Sequence, residues 1–319
     1  MRTEEMMRAP DAFRPAWMGK WEPDPRMLDF EEKWKAFHTP GGRLMTCGHR
    51  GDNNIIYPEN SLEGFQSVIL AGADILEADI HTTRDGELIV MHDDTLTRTT
   101  NVSALREEKA FAVPEDDRIE HWSLEEIRRL RLVTKGGGVT EYAVPTLREL
   151  ISLAKDRVFI TLDKTYAFSW EDGVYPLLEE QNAFRTVLIP YNYPLEQVYA
   201  IRGEIFERTG IYAPYYAGAV RKGGIMATDK IAQAVPFLAE HGMTPAIRGG
   251  EYLPEERELH DPVISPLKGN HRIYAETLRR DHDHRECWEQ MVEIGYNIIM
   301  GNRIYELLRF TKEKAFSEN

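Results

Sequence analysis

Residues 43–82 read RLMTCGHRGDNNIIYPENSLEGFQSVILAGADILEADIHT. The pattern of this segment is the strongest indication of the fold. It predicts an apolar strand at residues 44–48, a helix at residues 60–71 with apolar side chains at helical spacing, and a second strand at residues 73–82. Ser61 is in position to cap the helix. A strand, a helix and a strand in succession predict a parallel pair joined by a right-handed crossover.

The alternation of strands and helices continues to the end of the chain. Further strands are predicted at residues 88–92, 158–163, 186–190, 211–216, 272–277 and 297–300. Further helices are predicted at residues 146–154, 170–181, 195–208, 230–241, 286–294 and 304–312. Eight strands, most of them followed by a helix, favour a closed (β/α)8 TIM barrel over an open doubly wound sheet. The Gly-rich nucleotide fingerprint typical of the open sheet is absent from the sequence.

The chain is expected to have three parts. Residues 41–319 form the barrel domain. Residues 94–142 lack a clear period apart from a capping box at Ser123 and Glu126, which predicts a small insertion with one helix after the third strand. Residues 1–40 are polar with scattered aromatic residues and prolines, and we expect an N-terminal extension that packs on the barrel.

Charge and composition restrict the partners. The 53 acidic and 39 basic residues give a formal charge of −14, which repels nucleic acid and anionic membranes. No apolar window is long enough to predict stable membrane insertion. Two distant cysteines and the lack of an apolar leader predict a cytoplasmic protein without a disulfide framework, although a trimmed secretory signal would leave the same sequence. A homo-oligomer is left open.

Titratable residues stand at the ends of four successive predicted strands. Barrel enzymes carry their reactive groups at the carboxyl ends of the strands. Glu77 and Asp79 are two residues apart, so both carboxylates face the same side of their strand. Two buried like charges are unfavourable unless a cation neutralises them, and oxygen ligands suit Ca²⁺ or Mg²⁺. This pattern predicts one divalent cation.

Two histidines follow neighbouring strands beside this carboxylate pair. Histidine titrates near neutral pH, so His49 and His92 are candidates for a general base and a general acid. Arg50 offers a planar fork of donors that suits a phosphoryl group.

A family resemblance rests on five short motifs, whose order and spacing closely resemble those of the glycerophosphodiester phosphodiesterase family. The motifs are His49-Arg50-Gly51, Pro58-Glu59-Asn60-Ser61, Glu77-Ala78-Asp79, Thr83-Arg84-Asp85-Gly86 and His92-Asp93. The resemblance implies a (β/α)8 barrel, a divalent cation, and a small-molecule phosphodiester that is cleaved to an alcohol and glycerol 3-phosphate.

The resemblance also implies a role for each matching residue. His49 and His92 correspond to the acid–base histidines, and Arg50 corresponds to the phosphate-binding arginine. Glu77 and Asp79 correspond to metal ligands. Glu59 and Asn60 would support the site.

This sequence departs from the family pattern at three places. The third metal carboxylate usually stands two residues before a lysine, which here would be Leu162 before Lys164. We choose Asp163 as the third ligand instead, because a dication prefers another oxygen, and Lys164 then becomes a phosphate contact. The last strand lacks the usual Thr-Asp, and Glu276 stands where asparagine is common.

Two other functions are compatible with the same motifs. Relatives of the family act on lysophospholipid or sphingolipid head groups, which would require an apolar rim or an interfacial helix. A catalytically silent barrel that only binds phosphodiesters is the second alternative, and the altered last strand and the shifted carboxylate at Asp163 are what favour it.

Overall fold

The computed structural model describes residues 21–39, 41–53, 55–108, 114–164, 173–188, 216–219, 246–279 and 281–316. Its strands are β1 (Met45–His49), β2 (Ile75–Thr82), β3 (Leu88–Val90), β4 (Phe159–Asp163), β5 (Val187–Leu188), β6 (Tyr216–Ala219), β7 (Ala246–Glu251), β8 (Arg272–Thr277) and β9 (Ile298–Gly301). Its α-helices are α1 (Pro25–Leu28), α2 (Phe30–His38), α3 (Leu62–Leu70), α4 (Val102–Glu107), α5 (Leu124–Ile127), α6 (Leu147–Ala154), α7 (Val174–Gln181), α8 (Arg257–Ile264), α9 (Arg285–Ile294) and α10 (Ile304–Phe316).

Eight of these strands pair in parallel, in the spatial order β5-β4-β2-β1-β9-β8-β7-β6. Strand β1 lies between β2 and β9, so the first and last parts of the sheet are neighbours in space. Helices α3, α6, α7 and α10 pack with β2, β4 and β5 in one buried apolar cluster, as in βαβ units. The predicted (β/α)8 class is confirmed.

The sequence misassigned one barrel strand and missed another. Strand β3 pairs antiparallel with β2, with Thr82 opposite Leu88, and it lies outside the parallel sheet. Residues 83–87 form only a hairpin turn, whereas a parallel crossover needs a dozen residues or more. The missing parallel strand is β7, which the sequence analysis did not predict.

The helices mostly agree with the sequence. Ser61 caps α3 by accepting a hydrogen bond from the backbone N–H of Gly64. The capping box of Ser123 and Glu126 is present at the start of α5, but the insertion contains a second short helix, α4, and not one helix alone. Helix α8 was also not predicted. The predicted helices at residues 195–208 and 230–241 lie outside the described residues.

The interior of the barrel is apolar at its amino-terminal end, where helix α2 packs. The rings of Phe30 and Phe37 each lie 5.2 Å from the ring of Phe159 on β4, measured between centroids. Met45 of β1 and Ile75 of β2 belong to the same buried cluster. The polar side chains described below lie towards the opposite end, where the strands have their carboxyl ends.

A buried lysine links helix α2 to the sheet. Lys33 is fully buried, and its Nζ donates to the carbonyl oxygens of Ala73 (2.6 Å) and Arg157 (2.7 Å), just before β2 and β4. Burial lowers the pKa of Lys33 from 10.5 to about 7. The folded protein therefore releases this proton at a lower pH than the unfolded chain does.

We expect Lys33 to make stability depend on pH. Between the folded pKa of about 7 and the unfolded value of 10.5, the unfolded chain binds more protons. The free energy of unfolding of the wild type should therefore rise relative to Lys33→Met across this interval, by at most about 1.4 kcal/mol per pH unit. Urea unfolding at several pH values measures the difference. Lys35→Met, at an exposed position of α2, is the control, and equal pH dependence of Lys33→Met and wild type would contradict the account.

Candidate functional site

Three carboxylates converge where the middle of β2 lies beside the carboxyl end of β4. One oxygen each of Glu77, Asp79 and Asp163 lies within 4.8 Å of the others, and we call these residues the carboxylate cluster. The register of the sheet pairs Asp79 directly with Asp163. Leu162 is buried in the apolar cluster between sheet and helices. Of the two candidates for the third carboxylate position, Asp163 is therefore the one beside Glu77 and Asp79.

Burial makes the charge of this cluster unfavourable. Glu77 and Asp79 are 3% and 2% exposed, whereas Asp163 is exposed. Burial, followed by the charges of Asp79 and Asp163, raises the pKa of Glu77 well above its ordinary value. Burial also raises the pKa of Asp79, and the charge of Arg50 opposes that shift. A cation would relieve both penalties.

The donor set fits a hard divalent cation. All three cluster side chains offer carboxylate oxygens, the ligands that Ca²⁺ and Mg²⁺ prefer. Asn60 Nδ2 donates to Asp79 Oδ2 at 3.0 Å, which orients that carboxylate. The buried Asn60 Oδ1 has no hydrogen-bond partner among the described residues, so a further oxygen lies unused next to the cluster. These are the residues that would hold the ion.

Arg50 is held against the cluster by the turn after β1. Its backbone N–H donates to Glu77 Oε2 at 3.0 Å, its Nε lies 3.2 Å from Asp79 Oδ2, and its Nη1 donates to Glu59 Oε1 at 3.1 Å. Arg50 and Gly51 both have positive φ, 54° and 72°. A Cβ at Gly51 would lie 2.9 Å from Phe65 Cδ1, so only glycine fits the turn.

His49 stands at the end of β1 with one ring nitrogen fixed and the other facing the cluster. Its Nδ1 lies 2.6 Å from Asn302 Oδ1, and its Nε2 lies 3.9 Å from Glu77 Oε2. Burial, together with the charge of Arg50, lowers the pKa of His49 to about 4. The ring is therefore neutral near pH 7, as a general base must be.

His92 follows the hairpin strand β3 and has a different partner. Its Nδ1 lies 2.6 Å from Asp93 Oδ1, and the ring is near enough to interact electrostatically with Asp79 and His49. The hairpin, and not a barrel strand, thus carries His92 to the site. Hydrogen bonding by Arg98 holds the pKa of Asp93 well below its usual range.

Arg98, in the predicted insertion, ties two parts of the site together. Its Nε donates to Asp93 Oδ2 at 2.6 Å, and its Nη atoms donate to both oxygens of Glu59 at 2.8 and 2.9 Å. Glu59 in turn accepts from Arg50. One chain of ion pairs therefore runs from Arg50 to His92 through Glu59, Arg98 and Asp93.

Sequence reasoning missed the roles of Asp93, Arg98 and Asn302. Asp93 was visible in the motif with His92, whereas nothing in the spacing marked Arg98 or Asn302. Lys164 has a positive φ of 58° and its backbone N–H donates to Asp163 Oδ1 at 2.8 Å. The phosphate contact assigned to the Lys164 side chain stays a prediction.

Gly301, at the end of the last strand, lies against a buried carboxylate. A Cβ at Gly301 would lie 2.5 Å from Asp283 Oδ1. The buried Asp283 accepts from Trp288 Nε1 at 3.0 Å and from the backbone N–H of Arg303 at 2.6 Å. Gly301 therefore makes room for a carboxylate that joins β9 to α9.

The fold and site define a (β/α)8 barrel with a carboxylate cluster and two histidines at its carboxyl end. Residues 49–189 match the model of the glycerophosphoryl diester phosphodiesterase family. This match confirms the resemblance over that part of the chain.

Relatives in sequence cover part of the chain. A glycerophosphodiester phosphodiesterase of Caldanaerobacter subterraneus subsp. tengcongensis is 33% identical over 119 residues, 37% of this chain and 43% of the relative. A probable glycerophosphodiester phosphodiesterase 2 of Mycobacterium tuberculosis is 31% identical over 149 residues, 47% of this chain and 48% of the relative. The matched segment thus spans less than half the length of either relative.

Solved structures share the fold over most of the chain. A glycerophosphoryl diester phosphodiesterase from Parabacteroides distasonis has a TM-score of 0.64 at 22% identity, covering 89% of this chain and 92% of that one. An Oleispira antarctica phosphodiesterase, solved with the product sn-glycerol-3-phosphate, has a TM-score of 0.56 at 18% identity, covering 84% and 96%. In the part of this chain that the structure describes, no helix is both apolar and long enough to cross a bilayer.

Glu77→Gln should change the unfolding temperature in opposite directions without and with a bound cation. Without a cation, we expect Glu77→Gln to unfold at a higher temperature than the wild type, because it removes one of three repelling charges. With Ca²⁺ or Mg²⁺ the order should reverse, since the variant loses at least about tenfold in cation affinity, about 1.4 kcal/mol. Thermal unfolding with chelator and with each ion measures both.

The control for this prediction is Glu286→Gln, because that side chain is 87% exposed and outside the cluster. It should behave like the wild type in both conditions. A Glu77→Gln variant that melts lower than the wild type in chelator, and that Ca²⁺ or Mg²⁺ still stabilises fully, would contradict the role of the cluster.

Proposed function

We propose that this protein is a cation-dependent phosphodiesterase that cleaves glycerophosphodiesters to glycerol 3-phosphate and an alcohol. The observation that carries the proposal is the meeting of the carboxylate cluster with two histidines that have different Nδ1 partners. A cation, Ca²⁺ or Mg²⁺, supplies Lewis-acid stabilisation of the phosphate charge when it is bound by Glu77, Asp79 and Asp163. The family match of residues 49–189 supports the substrate class.

Cationic side chains provide the remaining positive charge. Arg50 lies at the cluster with its guanidinium between Asp79 and Glu59, so a phosphoryl group beside the cluster meets its planar fork. Lys164 follows Asp163 directly and is assigned a second contact to the phosphate. Both residues attract an anionic substrate to a protein whose net charge of −14 would otherwise repel it.

The two histidines move protons at opposite ends of the reaction. His49 is neutral, with Nε2 on the side of the cluster, so we assign it to accept the proton of the nucleophile. His92 is assigned to donate a proton to the oxygen of the leaving alcohol, and the Asp93 carboxylate at its Nδ1 balances the charge of the donating ring. The same assignments serve water or a neighbouring glycerol hydroxyl as nucleophile.

One observation favours the lysophospholipid or sphingolipid alternative. The loop that follows Arg50 and Gly51 exposes two adjacent apolar side chains, Ile55 at 46% and Ile56 at 39%. Exposed isoleucines beside the site would suit an acyl chain better than water. If Ile55→Ser lowers activity on lysophosphatidylcholine and not on glycerophosphocholine, the lipid alternative is supported; equal activity on both would count against it.

The cellular location and the oligomeric state of the protein are predictions. Cys47 and Cys287 are both buried and form no disulfide among the described residues, in keeping with the predicted cytoplasmic location. The substrate is a small molecule, and a homo-oligomer stays open.

The proposal predicts that substrates with different leaving groups distinguish the roles of the two histidines. His49→Ala should lose about 100-fold or more in kcat on glycerophosphocholine and on bis(p-nitrophenyl) phosphate, since both need the base. His92→Ala should lose as much on glycerophosphocholine but far less on the aryl diester, whose leaving group needs no proton. Rates with Ca²⁺, with Mg²⁺ and with chelator measure this.

His121→Gln is the matched control, because this histidine lies in the insertion, 40% exposed, and should keep full activity. Equal losses of His92→Ala on both diesters would contradict the assignment of the acid. No turnover of either diester by the wild type, with or without metal, would favour the barrel that binds and does not cleave.

A further inference from the structure

The side chain of Asn302 connects the end of β9 to the ring of His49. Its Oδ1 lies 2.6 Å from His49 Nδ1, and its Nδ2 donates to the carbonyl oxygen of Leu278 at 2.7 Å. The carbonyl can only accept, so Nδ2 must face Leu278 and Oδ1 must face the histidine. Asn53 Nδ2 donates to the same Oδ1. Both ends of the Asn302 amide are therefore fixed.

This arrangement determines which nitrogen of His49 carries the proton. An amide oxygen 2.6 Å from a bare ring nitrogen would bring two lone pairs together, so the Nδ1 of His49 must be the donor. Asn53 Nδ2 also lies 3.3 Å from this Nδ1, but that longer contact is the weaker of the two. In the neutral ring, Nε2 is then left with its lone pair.

We propose that Asn302 is a positioning residue that locks neutral His49 as the Nδ1–H tautomer and so presents Nε2 as the base. The inference rests on the proposed function and deepens it. Asn302 itself touches no reacting atom in this account, because it acts through the ring of His49. Asn302 stands where the family often has aspartate, and the proposed positioning role accounts for an asparagine there.

The two histidines of the site are therefore held through the same atom by different acceptors. His49 Nδ1 donates to a neutral amide, whereas His92 Nδ1 lies 2.6 Å from the Asp93 carboxylate. A neutral acceptor fixes the tautomer of a base without adding the negative charge that attracts a proton to the ring. A carboxylate suits the ring that must carry and give up a proton. The two rings are therefore oriented through the same atom, by acceptors that differ in charge.

The test compares two substitutions of Asn302 by NMR and by kinetics. Long-range ¹H–¹⁵N spectra of the histidine rings distinguish Nδ1–H from Nε2–H, and the spectrum of His49→Gln identifies the resonances of His49. We expect Nδ1–H in the wild type and a mixture of tautomers in Asn302→Leu, which has no acceptor. Asn302→Asp keeps an acceptor opposite Nδ1 and should keep the Nδ1–H form.

The kinetic result should follow the tautomer. On glycerophosphocholine with Ca²⁺, Asn302→Leu should lose about 10- to 100-fold in kcat with little change in KM, and Asn302→Asp should recover most of it. A purely structural role would lower the melting temperature of both variants and leave the tautomer of His49 unchanged.

Two outcomes separate this inference from the proposed function. An Nε2–H signal for His49 in the wild type, or an unchanged tautomer and rate in Asn302→Leu, would overturn the positioning role even if the wild type is active. If the wild type turns over no diester while the tautomer changes as expected, the proposed function fails and the lock itself stands.

Discussion

The repulsion among Glu77, Asp79 and Asp163 is the constraint on which the rest of the site depends. Two of the three carboxylates are almost completely buried, where unpaired negative charge is strongly unfavourable. The positive φ of Arg50 points its backbone N–H at Glu77, and Asn60 donates to Asp79. These contacts offset only part of the negative charge. A bound dication would therefore stabilise the folded carboxylate cluster.

The surrounding ion pairs distribute charge away from this place towards the histidines. Arg98 and Glu59 form a bridge from the turn after β1 to the hairpin that carries His92. Because Arg98 comes from the predicted insertion, that segment contributes directly to the order of the site. The hairpin and the insertion thus bring a second histidine to a barrel whose parallel strands supply the first.

The sequence predicted the features that depend on local periodicity. Alternation along β2 put Glu77 and Asp79 on one side, and the capping signal at Ser61 marked the start of α3. The strand at residues 88–92 was counted with the barrel because its apolar run is also typical of a buried strand. Strand β7 was missed because its sequence, AIRGGE, has two glycines and two charges that hide the apolar pattern.

Contacts between distant residues could not be predicted in this way. The partner of His49 is 253 positions away at Asn302, and only the pairing of β1 with β9 brings them together. The pairing of Asp79 with Asp163 likewise depends on the register of two strands, which a single sequence does not encode in its spacing. The resemblance assigned acid–base and metal roles to residues of this chain but could not choose between Leu162 and Asp163.

The most direct test of the account is anomalous diffraction from crystals soaked in Mn²⁺, which substitutes for Mg²⁺ at oxygen sites. We predict one strong anomalous peak at bonding distance from oxygens of Glu77, Asp79 and Asp163. His49 Nε2 should be directed towards the bound ion. A crystal that binds Mn²⁺ elsewhere, or that leaves these three carboxylates without a peak at saturating Mn²⁺, would contradict it.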